Sequence, residues 1–206
     1  MEQTEATPRW TEPLSLSDER KLVQRCQAGD REAFDQLVGA FQDTVYGLAY
    51  RLMGNYDDAN DLAQEVFVIC FRKIGQYRGE SRLKTWLYRI VTNLAKNAWK
   101  RQERHGGSVT VSLDDPPAAE DCEPARQAPS GAPNPRQAAG AREAAEALWK
   151  CLERLNPEHR EALTLRCMED LSYEEIAEAT ECSLGTVKSR INRARAELRK
   201  LMADYL

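Results

Sequence analysis

Between His105 and Pro135 the chain places six prolines, three glycines and five acidic residues against a single arginine. Each proline removes a backbone donor and fixes its own φ, so no helix or strand survives that density of breakers. Low hydrophobicity and clustered acids leave the segment nothing to bury, which predicts a disordered, acidic linker over residues 105–138. Its unrestrained span is about 30 Å, from roughly 5–6 Å times the square root of its length. The flanks are therefore read as two small domains, residues 16–104 and 139–206, with residues 1–15 as a flexible N-terminus. The run Val109-Thr110-Val111 is the one β-like fragment, and it sits alone in the linker.

Periodicity makes both flanks helical, which predicts an all-α fold. In the first, Glu19 to Cys26 forms a short helix ended by Gly29-Asp30. Arg31 to Met53 then carries Phe34, Leu37, Val38, Phe41, Val45, Leu48, Ala49 and Leu52 at three- and four-residue spacing, stopped by Gly54-Asn55. Asp57 to Ile74 opens on acids that suit a helix N-terminus and buries Leu62, Val66, Phe67, Ile69 and Cys70. A loop around Gly75 to Ser81 leads into a last helix, Lys84 to Arg104.

The second flank holds an acidic helix, a tight turn and a basic helix between Leu171 and Arg195. Ser172 with Glu175 three residues on makes a capping box, and Ser183 is a second N-cap before a new apolar series. Leu184, Val187, Ile191, Ala194 and Leu198 form one stripe, while Thr186, Ser189, Asn192 and Arg193 face away from it. This is a helix-turn-helix, whose second helix can enter a major groove. From Glu169 to Glu181 there are six acids and no base, and from Ser183 to Lys200 six bases and one acid. That segregation favours a phosphate-contacting second helix over the alternative, an ordinary helical hairpin with a basic surface.

Charge is also segregated in the first domain. Asn55 to Glu65 has four acids and no base, whereas Arg72 to Arg104 has ten bases and two acids. The basic stretch is interleaved with Tyr77, Trp86, Tyr88 and Trp99, a combination that binds single strands through backbone cations and ring faces. The competing reading makes Trp86 and Tyr88 core residues of an amphipathic helix.

Composition, at 42% hydrophobic and 30% charged, is that of a soluble globular protein. The N-terminus lacks a basic start followed by an apolar run, and no stretch reaches membrane-span length, so a cytoplasmic location without membrane insertion is expected. The six cysteines form no C-x-x-C pair, and His105 and His159 sit at no ligand spacing. No metal or cofactor is expected, and buried thiols in helices are the default. Cys122 alone falls in the linker, where a redox role is conceivable. The net charge of −4 argues against a protein that coats DNA indiscriminately.

Taken in order, three motifs resemble the extracytoplasmic-function (group IV) sigma factors of bacterial RNA polymerase. Asp57-Asp58-Ala59-Asn60-Asp61-Leu62-Ala63-Gln64-Glu65-Val66-Phe67 is similar to the core-polymerase-binding helix of that family. Tyr77-Arg78-Gly79-Glu80-Ser81, with Thr85-Trp86-Leu87-Tyr88-Arg89-Ile90 and Asn93, is similar to its promoter-melting region. Leu171 to Arg195 is similar to its minus-35 reader. The resemblance spans nearly all of the chain outside the N-terminal dozen residues and the linker.

It implies a sigma2-like and a sigma4-like domain, with core RNA polymerase (the β′ clamp helices and the β subunit), promoter DNA and an anti-sigma factor as partners. Asp58, Asp61, Gln64 and Glu65 are then the polymerase ridge, although an acidic helix start that merely complements its dipole would look the same. A minus-10 base flipped from the non-template strand would sit against Tyr77, Ser81 and Asn93. Arg78 and Trp86 would flank it, with Arg89, Lys96, Lys100 and Arg101 on the backbone. Thr186, Lys188, Ser189, Arg190, Asn192 and Arg193 would face the minus-35 element.

Two other classes compete. An autonomous helix-turn-helix regulator would bind an operator without polymerase. A recombinase or nuclease would need a catalytic constellation, and none is present in the sequence.

Overall fold

The computed structural model describes residues 15–106 and 147–203, and all its regular structure is helical. The expected linker from residue 107 on, with Cys122 and the β-like fragment, lies outside these, as does the N-terminal segment to residue 14, while His105 and Gly106 extend the last helix of the first set. Helix α1 (Leu16–Gln27) starts where Ser15 Oγ accepts the Asp18 N–H. Helix α2 (Arg31–Met53) starts on Asp30, whose carboxylate accepts the Ala33 N–H, and ends at Gly54. Gly54 has φ +78°, a left-handed conformation open to glycine at no Cβ cost, so the helix closes there as its sequence predicts. Asn55 caps α3 (Tyr56–Lys73) through the Asp58 N–H. A 3₁₀ turn (Ile74–Gln76) and a loop precede α4 (Leu83–Gly106).

The C-terminal set comprises α5 (residues 147–154), α6 (Pro157–Cys167), α7 (Tyr173–Thr180) and α8 (Leu184–Met202). Both cap assignments match the sequence. Ser172 and Glu175 exchange the two bonds of a capping box, and Ser183 Oγ accepts the Thr186 N–H.

Apolar faces meet in the interior. Leu37, Val45, Leu48 and Leu52 of α2 pack with Val66 and Cys70 of α3 and Leu87, Tyr88, Val91 and Ala95 of α4, all buried. Val187, Ile191 and Ala194 are fully buried as the α8 stripe requires, but Leu184 at its head is 42% exposed. It is the first residue of the helix, and no described residue covers it. The two sets of helices also touch each other, α4 lying against α7 and α2 against α6.

Cys26, Cys70 and Cys151 are buried, Cys182 is half-buried and Cys167, the last residue of α6, is exposed. Burial pushes the Cys70 thiol up to about 12. It raises Cys26 as well, with help from nearby Asp30. Neither carries appreciable thiolate at neutral pH, so both act as small apolar fillers.

Candidate nucleic-acid interface

Helix α3 buries Leu62, Ala63, Val66 and Cys70 on one side, which leaves Asp61, Gln64 and Glu65 exposed on the other. Four and seven residues beyond Gln64, the same ridge carries two exposed apolar side chains, Val68 (48%) and Phe71 (60%). The Phe71 ring stands edge-on to Phe34 of α2 at 5.0 Å between centroids. Sequence reasoning missed both, although an apolar residue outside the core period was the available signal. Asp58 is placed differently from its neighbours. Its carboxylate accepts from Asn55 Nδ2 at 2.7 Å, and it is half-buried at the helix cap.

The loop before α4 is held from two sides. Gln27 Nε2 donates to the carbonyls of Ile74 (3.0 Å) and Tyr77 (2.8 Å). Buried Glu19 accepts the Leu83 N–H at 2.7 Å, capping α4 from α1. The Tyr77 hydroxyl donates to the Ser81 carbonyl at 2.6 Å across a loop in which Gly79 takes φ +74°. Burial pushes the Tyr77 phenol up to about 12, keeping it a donor. Its ring lies 5.4 Å from that of Trp86. Two open cavities flank this loop. One of about 590 Å³ lies between the loop and α1, and one of about 600 Å³ is lined by Tyr77, Arg78, Ser81, Trp86 and Arg89. The structure thus brings Tyr77, Arg78, Ser81, Trp86 and Arg89 together. Asn93 lines neither cavity and is half-buried farther along α4. Tyr88 points inward as a fully buried core residue, whereas Lys100 and Arg101 are exposed.

On α8, Lys188, Asn192 and Arg193 are exposed, with Thr186 and Ser189 half-buried beside them. Ser189 Oγ donates to the Thr186 carbonyl. Arg190 turns back instead: its guanidinium pairs with Glu158 at 2.5 Å and its side chain is only 18% exposed, so it ties α8 to α6. His159 Nδ1, 3.0 Å from Glu197, makes a second tie between the same helices.

Residue spacing carries no sign of where the acids of the C-terminal set go. Glu169, between α6 and α7, pairs with Arg51 at 2.5 Å and Lys84 at 3.3 Å and accepts the Tyr88 hydroxyl. Burial, then this carboxylate, holds the Tyr88 phenol far above its ordinary range. Arg89 Nε and Nη2 both reach Glu181 at 2.6 Å. Thr92 Oγ1 donates to the Ala179 carbonyl at 2.7 Å, and Lys96 Nζ donates to the Thr180 carbonyl at 2.8 Å. Lys96 also lies 3.5 Å from Glu161, which is fully buried and whose carboxyl burial pushes up to about 7.

Two family models match the chain in order. Residues 37–105 match the family model Sigma-70 region 2, and residues 145–198 match Sigma-70, region 4. The RNA polymerase sigma-H factor of Pseudomonas aeruginosa is 37% identical over 193 residues, covering 94% of this chain and 98% of that protein. The ECF RNA polymerase sigma-E factor of Escherichia coli is 39% identical over 174 residues, covering 84% and 88%. A solved structure of the sigma factor RpoE with the anti-sigma factor NepR from Bartonella quintana superposes with TM-score 0.59 at 26% identity, covering 84% of this chain and 98% of that one. With both regions in the family's order and near full-length relatives on each side, the chain belongs to the extracytoplasmic-function sigma factors of the sigma-70 family, transcription initiation factors of RNA polymerase.

Proposed function

We propose that three surfaces of this chain divide the work of initiation. The exposed α3 ridge of Asp61, Gln64, Glu65, Val68 and Phe71 docks on core polymerase, at the β′ clamp helices. Its acids supply charge complementarity and its two apolar side chains supply area removed from water. The ridge carries this reading, because no described residue covers it and large apolar side chains on an otherwise polar helix face mark a contact surface. Asp58 is left to its capping role.

The loop Tyr77–Ser81 and the first turns of α4 take the non-template minus-10 strand. Tyr77 and Trp86 offer ring faces, Gly79 lets the backbone turn, and Arg78, Arg89, Lys96, Lys100 and Arg101 hold phosphates. Asn93 lines neither loop cavity, and we assign it to the strand beyond. Helix α8 lies in the minus-35 major groove, where Lys188, Asn192 and Arg193 reach base edges and Thr186 and Ser189 meet the backbone. Arg190 braces the helix from behind. An anti-sigma protein covering α3 and α4 is the expected regulator.

The test is run-off transcription by core polymerase with and without the protein on a genomic promoter library. Initiation that depends on the protein is expected, lost in Asp61→Lys with Glu65→Lys while helicity is retained. Sequence-specific footprints without polymerase, and unchanged polymerase binding by the double variant, would favour an autonomous regulator.

A further inference from the structure

The face of α4 that carries Arg89, Thr92 and Lys96 is occupied. These residues fall at spacings of three and four, so they share one side of the helix. Each is satisfied by the C-terminal end of α7: Glu181 takes Arg89, the Ala179 carbonyl takes Thr92 and the Thr180 carbonyl takes Lys96. The last carbonyls of a helix have no partner within it and carry its negative dipole end. Beside the Glu181 carboxylate they form a short row of acceptor oxygens, one of them charged, much as a phosphate backbone would present to the same donors. Glu169 extends the clasp, since its three partners, Arg51, Lys84 and Tyr88, all belong to the first domain.

The neighbouring join of α4 with α6 is less complete. Neither oxygen of buried Glu161 completes a hydrogen bond, and Arg160 Nε and Trp99 Nε1 are also buried without partners where α4 meets α6. Each such group costs free energy relative to its hydrated state. These groups lie at the α4–α6 join beside the clasp, and opening returns them to water. The exposed face of α8, by contrast, is free in the same arrangement.

We propose that the acidic end of α7 is an intramolecular competitor for the minus-10 strand: the free chain rests closed, with Arg89, Thr92 and Lys96 of α4 engaged and the minus-35 face of α8 available. Strand binding at α4 requires α7 to leave. This rests on the phosphate roles proposed above for Arg89 and Lys96.

The test uses the full chain. Glu169→Gln with Glu181→Gln removes the two acids that clasp the first domain, and Glu32→Gln with Glu174→Gln removes equal charge from exposed positions. Two quantities are read: the radius of gyration by small-angle X-ray scattering, and affinity for a fluorescein-labelled single strand of randomised sequence. The first variant should expand and bind the strand at least about tenfold tighter, as expected if the competent form is a tenth or less of the resting population. The matched control should stay at the wild-type level in both. Restored clasping in Arg89→Glu with Glu181→Arg, seen as a return to the compact radius without strand binding, would support the same pairing.

An unchanged radius and affinity in the first variant would overturn the closed resting state. Expansion without tighter binding would overturn the competition. The phosphate roles are judged apart from both, by minus-10 melting in the holoenzyme of Lys96→Ala and Arg89→Ala.

Discussion

Helices α4 and α8 both carry cations on their outer faces, yet α7 engages part of the set on α4 and leaves Lys188 and Arg193 of α8 free. On α8, Lys188, Asn192 and Arg193 project into solvent while Val187, Ile191 and Ala194 are sealed beneath them. On α4, the cations that alternate with the core are met by α7. The difference arises from what each helix leaves unsatisfied. Helix α8 is braced from α6 through Arg190 and Glu158, which leaves Lys188, Asn192 and Arg193 without a partner among the described residues. Helix α7 ends with unpaired carbonyls in a short, acidic element, and these find their donors on α4.

The largest expected effect separates adjacent residues of α8. Ile191→Ala should cost about 2–5 kcal/mol, because it removes a fully buried side chain and leaves a cavity under the helix. Asn192→Ala, one position on and exposed, should stay within about 0.5 kcal/mol in urea unfolding. The order should reverse in function for the folded fraction: Asn192→Ala loses minus-35 selectivity while Ile191→Ala retains it. An unfolding midpoint equal to wild type for Ile191→Ala would remove the distinction between the packed and reading faces.

Next in size is a pH effect at the join of the two sets. Burial raises Glu161 to about 7, opposed by Lys96 and Arg190 and reinforced by Glu158. The folded chain therefore holds a proton there that the unfolded chain releases at ordinary carboxylate pH. Its contribution is fully present below the unfolded carboxylate pKa and is lost as pH rises through about 7. Stability should fall between pH 5 and 8 by an amount that Glu161→Gln largely abolishes. Chemical denaturation of both proteins across that range checks it, and parallel profiles would show that Glu161 does not titrate in the fold.

These two regions were legible to different degrees, for physical reasons. Helix boundaries were readable because caps and periodicity are local: Asp30, Asn55, Ser172 and Ser183 each sit where an unpaired N–H must be met. The reading face of α8 was readable because a buried stripe fixes its opposite side. Leu184 failed that rule, since burial at a helix end depends on what lies above it rather than on period. Arg190 failed too, because its partner Glu158 lies in another helix and a basic side chain gives no sign of which way it turns. The acids Glu169 and Glu181 looked like a field that sets off the basic helix. Their partners are far away in sequence, and pairing over that distance leaves no trace in spacing.

A smaller effect tests α8 as a reader. Arg193 is exposed with no protein partner among the described residues, whereas Arg190 is half-buried and paired. Arg193→Ala should cost about 1–3 kcal/mol on the preferred minus-35 sequence and relax selection at one position. Arg190→Ala should instead lower stability and affect all sequences alike. A uniform loss of affinity for Arg193→Ala, with a shallower salt dependence, would make it a phosphate contact.

The smallest effect compares the caps of α7 and α8. Ser172 is half-buried and works in both directions: its Oγ accepts the Glu175 N–H at 3.2 Å, and Glu175 accepts the Ser172 N–H at 2.9 Å. Ser183 is exposed, accepts the Thr186 N–H at 3.1 Å and shares a hydroxyl contact with Thr186. Losing an N-cap side chain costs about 0.5–2 kcal/mol. Ser172→Ala should lie at the upper end, because water reaches its half-buried donor poorly, and Ser183→Ala at the lower end, where solvent takes the freed N–H. Binding should rank them the other way. Fraying at Ser183 displaces Thr186, Lys188 and Ser189 in the first turns of the recognition helix, whereas Ser172 lies at the far end of α7 from the groove. Urea unfolding and minus-35 duplex affinity, measured on both variants, should therefore give opposite orders; the same order in both would mean that the two helices move as one unit and that α8 does not read DNA independently of α7.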